Sequence, residues 1–370
     1  MDAALFQIAE RVRAALADHT PLRLRGGGSK DFHALQLQGD LLDTRDWRGI
    51  VSYEPSELVV TVRAGTPLAE LEAVLAAQGQ CLAFEPPHFG AATVGGMVAT
   101  GWSGPSRASV GAVRDYVLGV EILNGRAELL RFGGQVMKNV AGYDVSRLMA
   151  GSWGTLGLIT EVSLKVLPVA PGETTLRFDG LSQAEALQRL NQWGGQPLPL
   201  NASCWVPDAA GADTGTLYLR LRGARAAVEA ACRSLGGVRL DDAATAADWQ
   251  ACREQTLPWF AQRAADHVLW RLSVPQTAPV LALPHGVGAP LIEWHGGQRW
   301  VQAPRSQGPA LQALAQSVGG SASLFRAESA EQISASPIFD VQNPAVQRIQ
   351  AQLRQAFDPV GIFNPGRTMA

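Results

Sequence analysis

The residues best suited to chemistry in this chain are glycines grouped with hydroxyls and bases. Arg25-Gly26-Gly27-Gly28-Ser29-Lys30 removes three side chains in succession, letting consecutive backbone N–H groups point into one concavity of the kind that holds a phosphate. Each charge-assisted hydrogen bond there contributes about 1.5–3 kcal/mol, so a few donors plus Ser29 compete with the desolvation of a pyrophosphate. Three glycines taken alone are also the ordinary composition of a flexible turn. Two familiar nucleotide signatures are missing. Lys30 follows Ser29 and precedes Asp31, which breaks the Walker order, and Gly151, Gly154 and Gly157 are spaced three by three rather than as G-x-G-x-x-G.

Two further segments share this texture. Phe89 to Gly104 carries small side chains, glycines and hydroxyls, so a bulky ligand can lie against its backbone. Gly151-Ser-Trp-Gly-Thr-Leu-Gly157 runs into an alternating apolar segment. Three independent tight turns would account for these glycines; their recurrence at strand ends favours one shared ligand.

The elements that must position them are well punctuated. Leu5, Ile8, Val12, Ala15 and Leu16 predict an amphipathic first helix, and Asp2 and Glu10 among them distinguish it from a signal peptide. A strand is expected over 21–25 and another over 58–64, the latter followed by a helix with Thr66 as cap and Pro67 at its first position. Asn124-Gly125 predicts a two-residue type I′ hairpin between 117–123 and 126–132. The strand over 158–166 meets Pro168 and Pro171-Gly172, which marks a domain boundary near 171. Beyond it Ser182-Gln-Ala-Glu185 forms a capping box. Helices over 222–235, 245–263 and 309–318 alternate with strands over 216–221 and 267–274, as in an α+β domain. A last helix has Asn343 as cap, Pro344 first, and Val346, Ile349 and Leu353 on one face.

Composition excludes several classes. The 370 residues are 46% apolar, enough for one large or two ordinary cores, and 31 basic against 33 acidic groups give a net charge of −2. Nothing in that balance points to nucleic acid or an anionic membrane. Cys81, Cys204, Cys232 and Cys252 are far apart with no C-x-x-C pair, so any iron–sulfur centre is expected in another chain. No run of eighteen apolar residues occurs, which predicts a soluble, cytoplasmic chain with no direct membrane insertion.

The order RGGGSK, a strand–helix unit, PPHFGAATVGGMVATGWSGPSRASVGAVRDYVLGVEILNG, AGSWGTLGLITEVSLKVLP and FDPVGIFNPGR resembles the vanillyl-alcohol-oxidase superfamily, whose FAD domain is of p-cresol-methylhydroxylase type. The segment GGQVMKNVAGYDVSRLMAGS resembles, more narrowly, the FAD-binding subunits of bacterial glycolate oxidase. The resemblance implies an α+β fold with a two-subdomain FAD-binding domain over 1–171, a smaller α+β cap domain over 172–340 covering the flavin ring, and a C-terminal return over 341–370. It implies that Arg25, Gly26, Gly27, Gly28, Ser29 and Lys30 cradle the pyrophosphate, with Pro86 in the following loop. Thr93, Val94, Gly95, Gly96, Ala99 and Gly101 would line the ribityl and isoalloxazine. Gly154, Thr155, Gly157 and Ile159 would close on the adenine half, and Asn364 and Arg367 would reach the flavin region from the C-terminus. Covalently flavinylated relatives carry histidine where Ser29 stands, so FAD is expected to be non-covalent.

The same resemblance implies oxidation of glycolate to glyoxylate and of D-lactate to pyruvate, within a complex that includes a larger FAD-linked subunit and an iron–sulfur subunit. Peripheral attachment to the inner membrane would come through those partners. Flavin oxidation of a hydroxy acid needs a base for the hydroxyl proton and a cation or metal for the carboxylate. The histidine-rich metal segment of related hydroxy-acid dehydrogenases is not matched: 283–300 lacks its Asp-Gly-Asn centre, and His285, Glu293 and His295 fit no standard ligand spacing, so no metal is expected. Arg299 is a candidate for a carboxylate or partner contact, and Tyr143, with Asp144, for acid–base work; a surface arginine and a helix entrance are the ordinary alternatives. The seven tryptophans between 193 and 300 suit a core or an interface. The other readings are a self-sufficient FAD oxidase or dehydrogenase of another small alcohol or hydroxy acid, and a scaffold with a decayed flavin pocket.

Overall fold

The computed structural model describes residues 2–33, 38–134, 143–208, 214–327 and 343–367. The motif residues 135–142 lie outside them. The chain divides into two compact units, one of Met1–Ser103, Ala112–Val169 and Val341–Ala370, the other of Gly104–Gly111 and Ala170–Asp340. Residues 104–111, read from the sequence as part of the first domain, thus belong with the second.

In unit 1, α1 (Ala3–Asp18) starts where Asp2 accepts from the Ala4 N–H at 3.1 Å and ends at His19 in the left-handed region. It buries Leu5, Ile8, Ala9, Val12 and Ala15 against Leu22, Leu42, Trp47, Leu123 and Leu158. Strand β1 (Leu22–Arg25) pairs in parallel with β2 (Asp40–Asp43). Next come β3 (Ile50–Glu54), β4 (Val59–Arg63), α2 (Leu68–Ala76), α3 (Val94–Thr100), β5 (Val117–Leu123), β6 (Leu129–Gly133), α4 (Val145–Met149) and β7 (Leu158–Lys165). The five strands form an antiparallel sheet in the order β3-β4-β7-β5-β6. Its middle strand, β7, is buried on both faces despite its alternating sequence.

Two local expectations give way to geometry. Thr66 does not cap α2: its hydroxyl donates to the Arg63 carbonyl at 2.7 Å and accepts from the Gly49 N–H at 2.8 Å, and Pro67 takes the cap position. The hairpin is not a two-residue turn either. Leu123 pairs with Leu129, leaving a five-residue loop in which Asn124 Oδ1 accepts from the N–H groups of Arg126 and Glu128, and Ala127 rather than Asn124 or Gly125 has positive φ. Gly125 is required there by close approach, because a Cβ would overlap the Asp358 carboxylate.

Unit 2 is built on the larger sheet. It contains β8 (Gly172–Ser182), α5 (Gln183–Gly194), β9 (Leu200–Pro207), β10 (Thr214–Gly223), α6 (Arg225–Leu235), β11 (Val238–Arg239), α7 (Asp242–Glu254), β12 (His267–Ser273), β13 (Leu291–Glu293), β14 (Gln298–Pro304), α8 (Gly308–Ser317) and β15 (Ser321–Arg326). The strands run antiparallel in the order β11-β8-β10-β9-β13-β14-β12-β15. Alternate residues of one face build two cores, Leu176, Trp205, Leu219 and Ile292 with α5 and α6, and Trp270, Leu272, Val301 and Leu324 with α8. The capping box forms as read: Ser182 N–H donates to Glu185 Oε2 at 2.8 Å, and Glu185 N–H to Ser182 Oγ at 3.2 Å. The helix expected over 245–263 is broken instead, since Gln255 turns left-handed and Pro258 starts a separate turn, Pro258–Ala261.

The chain returns to unit 1 through α9 (Pro344–Phe357), capped by Asn343 with Pro344 first. Its stripe of Val346 and Ile349 is exposed among the described residues. The segment after it is fixed by Asp358, 5% exposed, whose oxygens accept from the N–H groups of Gly361 and Ile362 at 3.1 Å and Phe363 at 2.8 Å. Truncation would orphan these donors near the α1 core. Asp358→Ala is therefore expected to lower the unfolding free energy by about 2–4 kcal/mol, measured by urea denaturation.

Candidate cofactor site

A cleft opens in unit 1 where β1, the 25–31 loop, the start of α3, the 153–159 turn and the C-terminal segment meet. It is lined by the expected Arg25, Gly26, Gly27, Gly28, Ser29, Lys30, Thr93, Gly95, Gly96, Ala99, Gly154, Gly157, Ile159, Asn364 and Arg367. The structure brings these dispersed segments together.

The glycines are demanded by packing as well as by any ligand. A Cβ on Gly27 would overlap the Ala91 carbonyl oxygen, one on Gly28, where φ is +70°, would strike the Arg25 guanidinium, and one on Gly95 would lie 2.7 Å from Ala64 Cβ. Thr93 caps α3, accepting from the Gly96 N–H at 3.3 Å. Asn364 joins the far side: its Oδ1 accepts from the Leu24 N–H at 2.7 Å, and its Nδ2 donates to the Trp153 carbonyl at 2.8 Å.

The cations divide by commitment. Arg25 Nε donates to Asp31 at 2.8 Å. Lys30, 6% exposed, donates to the carbonyls of Pro87 and His88 at 2.9 and 3.0 Å and sits 5.8 Å from the Phe89 ring centre. Its ammonium thus holds the 86–89 loop. Arg367 differs. Its guanidinium stacks 5.0 Å from the Trp153 ring, only one nitrogen approaches Asp31, at 4.0 Å, and Nε and Nη1 are buried with no hydrogen-bond partner among the described residues. Burial holds its pKa below the usual arginine range. An anion supplies what those two donors lack, so the donor set fits a cofactor diphosphate.

Four expected lining residues do not reach the cleft. Pro86 and Val94 are buried, Gly101 ends α3 against the Gly151 backbone, and Thr155 donates its hydroxyl to the Ser152 carbonyl at 2.7 Å. Leu24, Asp31, Thr44, Ala64, Thr100, Trp153 and Leu158 line it unforeseen. Trp153 lies inside the GSWGTLG segment, whose glycines carry the stronger sequence signal. Beside the cleft it stacks on His33, centroids 5.0 Å apart, and His33 meets Trp102 edge-on at 5.1 Å.

The catalytic candidates in the sequence are corrected. Arg299 is fully buried in unit 2 and donates to the carbonyls of Ala278 at 2.7 Å, Pro279 at 2.6 Å and Gly296 at 3.3 Å, so its fork serves the backbone and no substrate. Strand alternation explains this: Arg299 pairs with Leu272 on the core face of the sheet. Tyr143 is 95% exposed, and Asp144 caps α4 by accepting from the Arg147 N–H. His285, Glu293 and His295 do not converge. His285 is exposed, while Glu293 accepts from Cys252, Gln298 and Trp300 at 3.0, 3.0 and 2.5 Å. Burial raises the Glu293 pKa, and His295 Nε2 pairs with Ser109 at 3.0 Å. The tryptophans serve the fold, as when Trp205 donates to the Leu181 carbonyl and Trp294 to that of Gly104.

The two units and the cleft define an FAD-binding domain of p-cresol-methylhydroxylase type joined to a second α+β unit. Residues 6–133 match the family described as FAD binding domain. The fold is similar to that of alkyldihydroxyacetonephosphate synthase, with a TM-score of 0.66 at 15% identity over 97% of this chain and 75% of that one. In sequence the chain is 44% identical to the glycolate oxidase subunit GlcE of Escherichia coli (strain K12), over 98% of this chain and 96% of that protein. It is 32% identical to the glycolate oxidase subunit GlcD of Bacillus subtilis (strain 168), over 34% of this chain and 27% of that one. The chain belongs to the family of the GlcE subunit, and it is an FAD-dependent oxidoreductase subunit.

Two outcomes follow from the buried groups of unit 2. Arg299→Met leaves three carbonyls without donors and is expected to cost about 3 kcal/mol of stability, measured by urea unfolding, with the flavin spectrum unchanged. Burial pushes the pKa of His295 down to about 4 from 6.5. The unfolded chain then binds a proton that the folded chain refuses, so stability is lost as pH falls from 6.5 towards 4, by up to about 3 kcal/mol. Denaturation midpoints measured across that window should fall less steeply in His295→Gln.

Proposed function

We propose that the chain is the FAD-binding subunit of a glycolate-oxidising complex that yields glyoxylate from glycolate and pyruvate from D-lactate. The single observation that carries this reading is the likeness to the GlcE subunit along almost the whole of both chains. The cleft supports the cofactor half of it. Backbone N–H groups of Gly26 to Ser29 and the unsatisfied donors of Arg367 would hold the diphosphate. Thr93, Gly95, Gly96 and Ala99 would face the ribityl and ring, and Gly154, Gly157 and Ile159 the adenine half. Lys30, by tethering the 86–89 loop, and Asn364, by tethering β1 to the 153 turn, would also position those contacts.

FAD, when bound, accepts the two electrons released when the alcohol carbon becomes a carbonyl. Serine at position 29 is consistent with dissociable FAD, and the nearest imidazole in sequence, His33, is 4% exposed, stacked on Trp153 and edge-on to Trp102. The commitment of Arg299 to backbone carbonyls and the exposure of Tyr143 favour a chain that holds flavin and passes electrons within an assembly over a self-sufficient oxidase. A larger FAD-linked subunit and an iron–sulfur subunit are the partners of this reading, and through them a place at the inner membrane; no helix among the described residues is long and apolar enough to cross one.

Anaerobic titration of the FAD-loaded chain with glycolate and with D-lactate tests the proposal. The yellow flavin band is expected to persist with the chain alone and to bleach once the partner subunits are added. Bleaching of the isolated chain would make it a self-sufficient dehydrogenase, and no retained flavin would leave a scaffold. Gly27→Ala is expected to reduce retained FAD at least about ten-fold, the loss of roughly one diphosphate hydrogen-bond set. Gly194→Ala, where a Cβ meets nothing within 4 Å, should leave it unchanged.

A further inference from the structure

Unit 2 encloses a second cavity, of about 390 Å³, within the size range of small-ligand pockets. It lies on the sheet face opposite the two cores. Thr175 of β8, Thr216 and Tyr218 of β10, and Cys204 and Val206 of β9 present their side chains there by alternation, since their neighbours Leu176, Leu217, Leu219 and Trp205 fill the core on the other side. Helix α7 closes it with Thr245, Asp248, Trp249 and Cys252, one face at i, i+3, i+4 and i+7, and Leu257, Pro258 and Gln262 complete the wall.

The lining has one sign of charge. Among the described residues Asp208 and Asp248 are the only carboxylates that line it, both on exposed residues, and no described lysine, arginine or histidine lines it. The nearby bases are engaged elsewhere: Arg177 pairs with Asp179 at 3.0 Å, and Arg220 donates to Asn201 at 2.7 Å and stacks on Trp249. Several lining groups are spent on the protein. Thr175 Oγ1 accepts from Trp249 Nε1 at 2.9 Å, Asp208 accepts from the hydroxyls of Thr214 and Thr216 at 3.1 Å, and the Cys252 thiol donates to Glu293. The Cys204 sulfur beside it and its burial raise the Cys252 pKa, which leaves that thiol neutral and unreactive. The Tyr218 hydroxyl, the Asp248 carboxylate and the Gln262 amide make no hydrogen bond among the described residues.

We propose that this cavity binds a small organic cation, an ammonium carried on an apolar body, with the Asp248 carboxylate receiving the charge, Asp208 adding to the negative potential, and Tyr218, Val206, Leu257 and Pro258 enclosing the body. The same charge turns away carboxylates, so the cavity is distinct from any site for a hydroxy acid, and its occupancy is independent of glycolate oxidation. An aromatic ring and a carboxylate lining one cavity attract a cation by the ring quadrupole and by Coulomb attraction together.

Calorimetric titration of the FAD-loaded full-length chain with benzylammonium, benzyl alcohol and benzoate tests this. Benzylammonium is expected to saturate one site per chain at least about five-fold more tightly than benzyl alcohol, with no binding of benzoate. Asp248→Asn should bring benzylammonium and benzyl alcohol to near parity, and Tyr218→Phe should weaken both, each with unchanged flavin content. Equal affinity of the amine and the alcohol for the unaltered chain, an ammonium preference that survives Asp248→Asn, or no saturable heat would each overturn the proposal. Because the readout needs neither glycolate nor partner subunits, its failure leaves the proposed oxidation untouched, and the reverse holds too.

Discussion

A single side-chain amide joins the parts of the cofactor cleft. Asn364 reaches one way to the backbone of β1 and the other way to the backbone of the turn that carries Trp153. Segments more than a hundred residues apart in sequence therefore share one wall. Such a bridge is sensitive to a change of atom: aspartate has no N–H for the Trp153 carbonyl, and a Cβ added at Gly154 would lie only 2.7 Å from Asn364 Nδ2. The left-handed backbone at Asn364, φ +43°, is tolerated by asparagine better than by most side chains. Conformation and hydrogen bonding thus select the same residue.

Much of the cleft was legible in the sequence because backbone crowding leaves a mark in residue type. Gly27, Gly28, Gly95 and Gly154 each stand where a Cβ would collide, and such positions read out as glycine whatever the ligand. What the sequence did not reveal depends on side-chain commitment. Lys30, a phosphate cation by its place in the motif, sets its ammonium on two carbonyls, whereas Arg367 has two buried donors without a hydrogen-bond partner among the described residues. Nothing in either local sequence distinguishes them, since the partner atoms lie 57 residues from one and hundreds from the other.

Register decided the outcome in unit 2. Arg299 and Arg271 occupy adjacent strands, but Arg271 pairs with Trp300 and Arg299 with Leu272, so they point to opposite faces of the sheet. A one-residue difference separates a buried backbone clamp from a base on the other face, and strand alternation read from sequence gives the period without saying which phase meets the helices. The Asn124-Gly125 hairpin failed for a related reason. That dipeptide is a strong local signal for a tight turn, but the Asp358 carboxylate packs against Gly125 and the loop opens to five residues around Asn124.

The position of Arg367 and Asn364 in the chain sets an order of events during synthesis. Polypeptide leaves the ribosome from its N-terminus, so the glycine loop and both sheets emerge before the residues that complete the first unit's wall. Flavin capture is thereby deferred until the intervening sheet has been made. A nascent chain arrested anywhere before residue 364 would expose a half-built crevice.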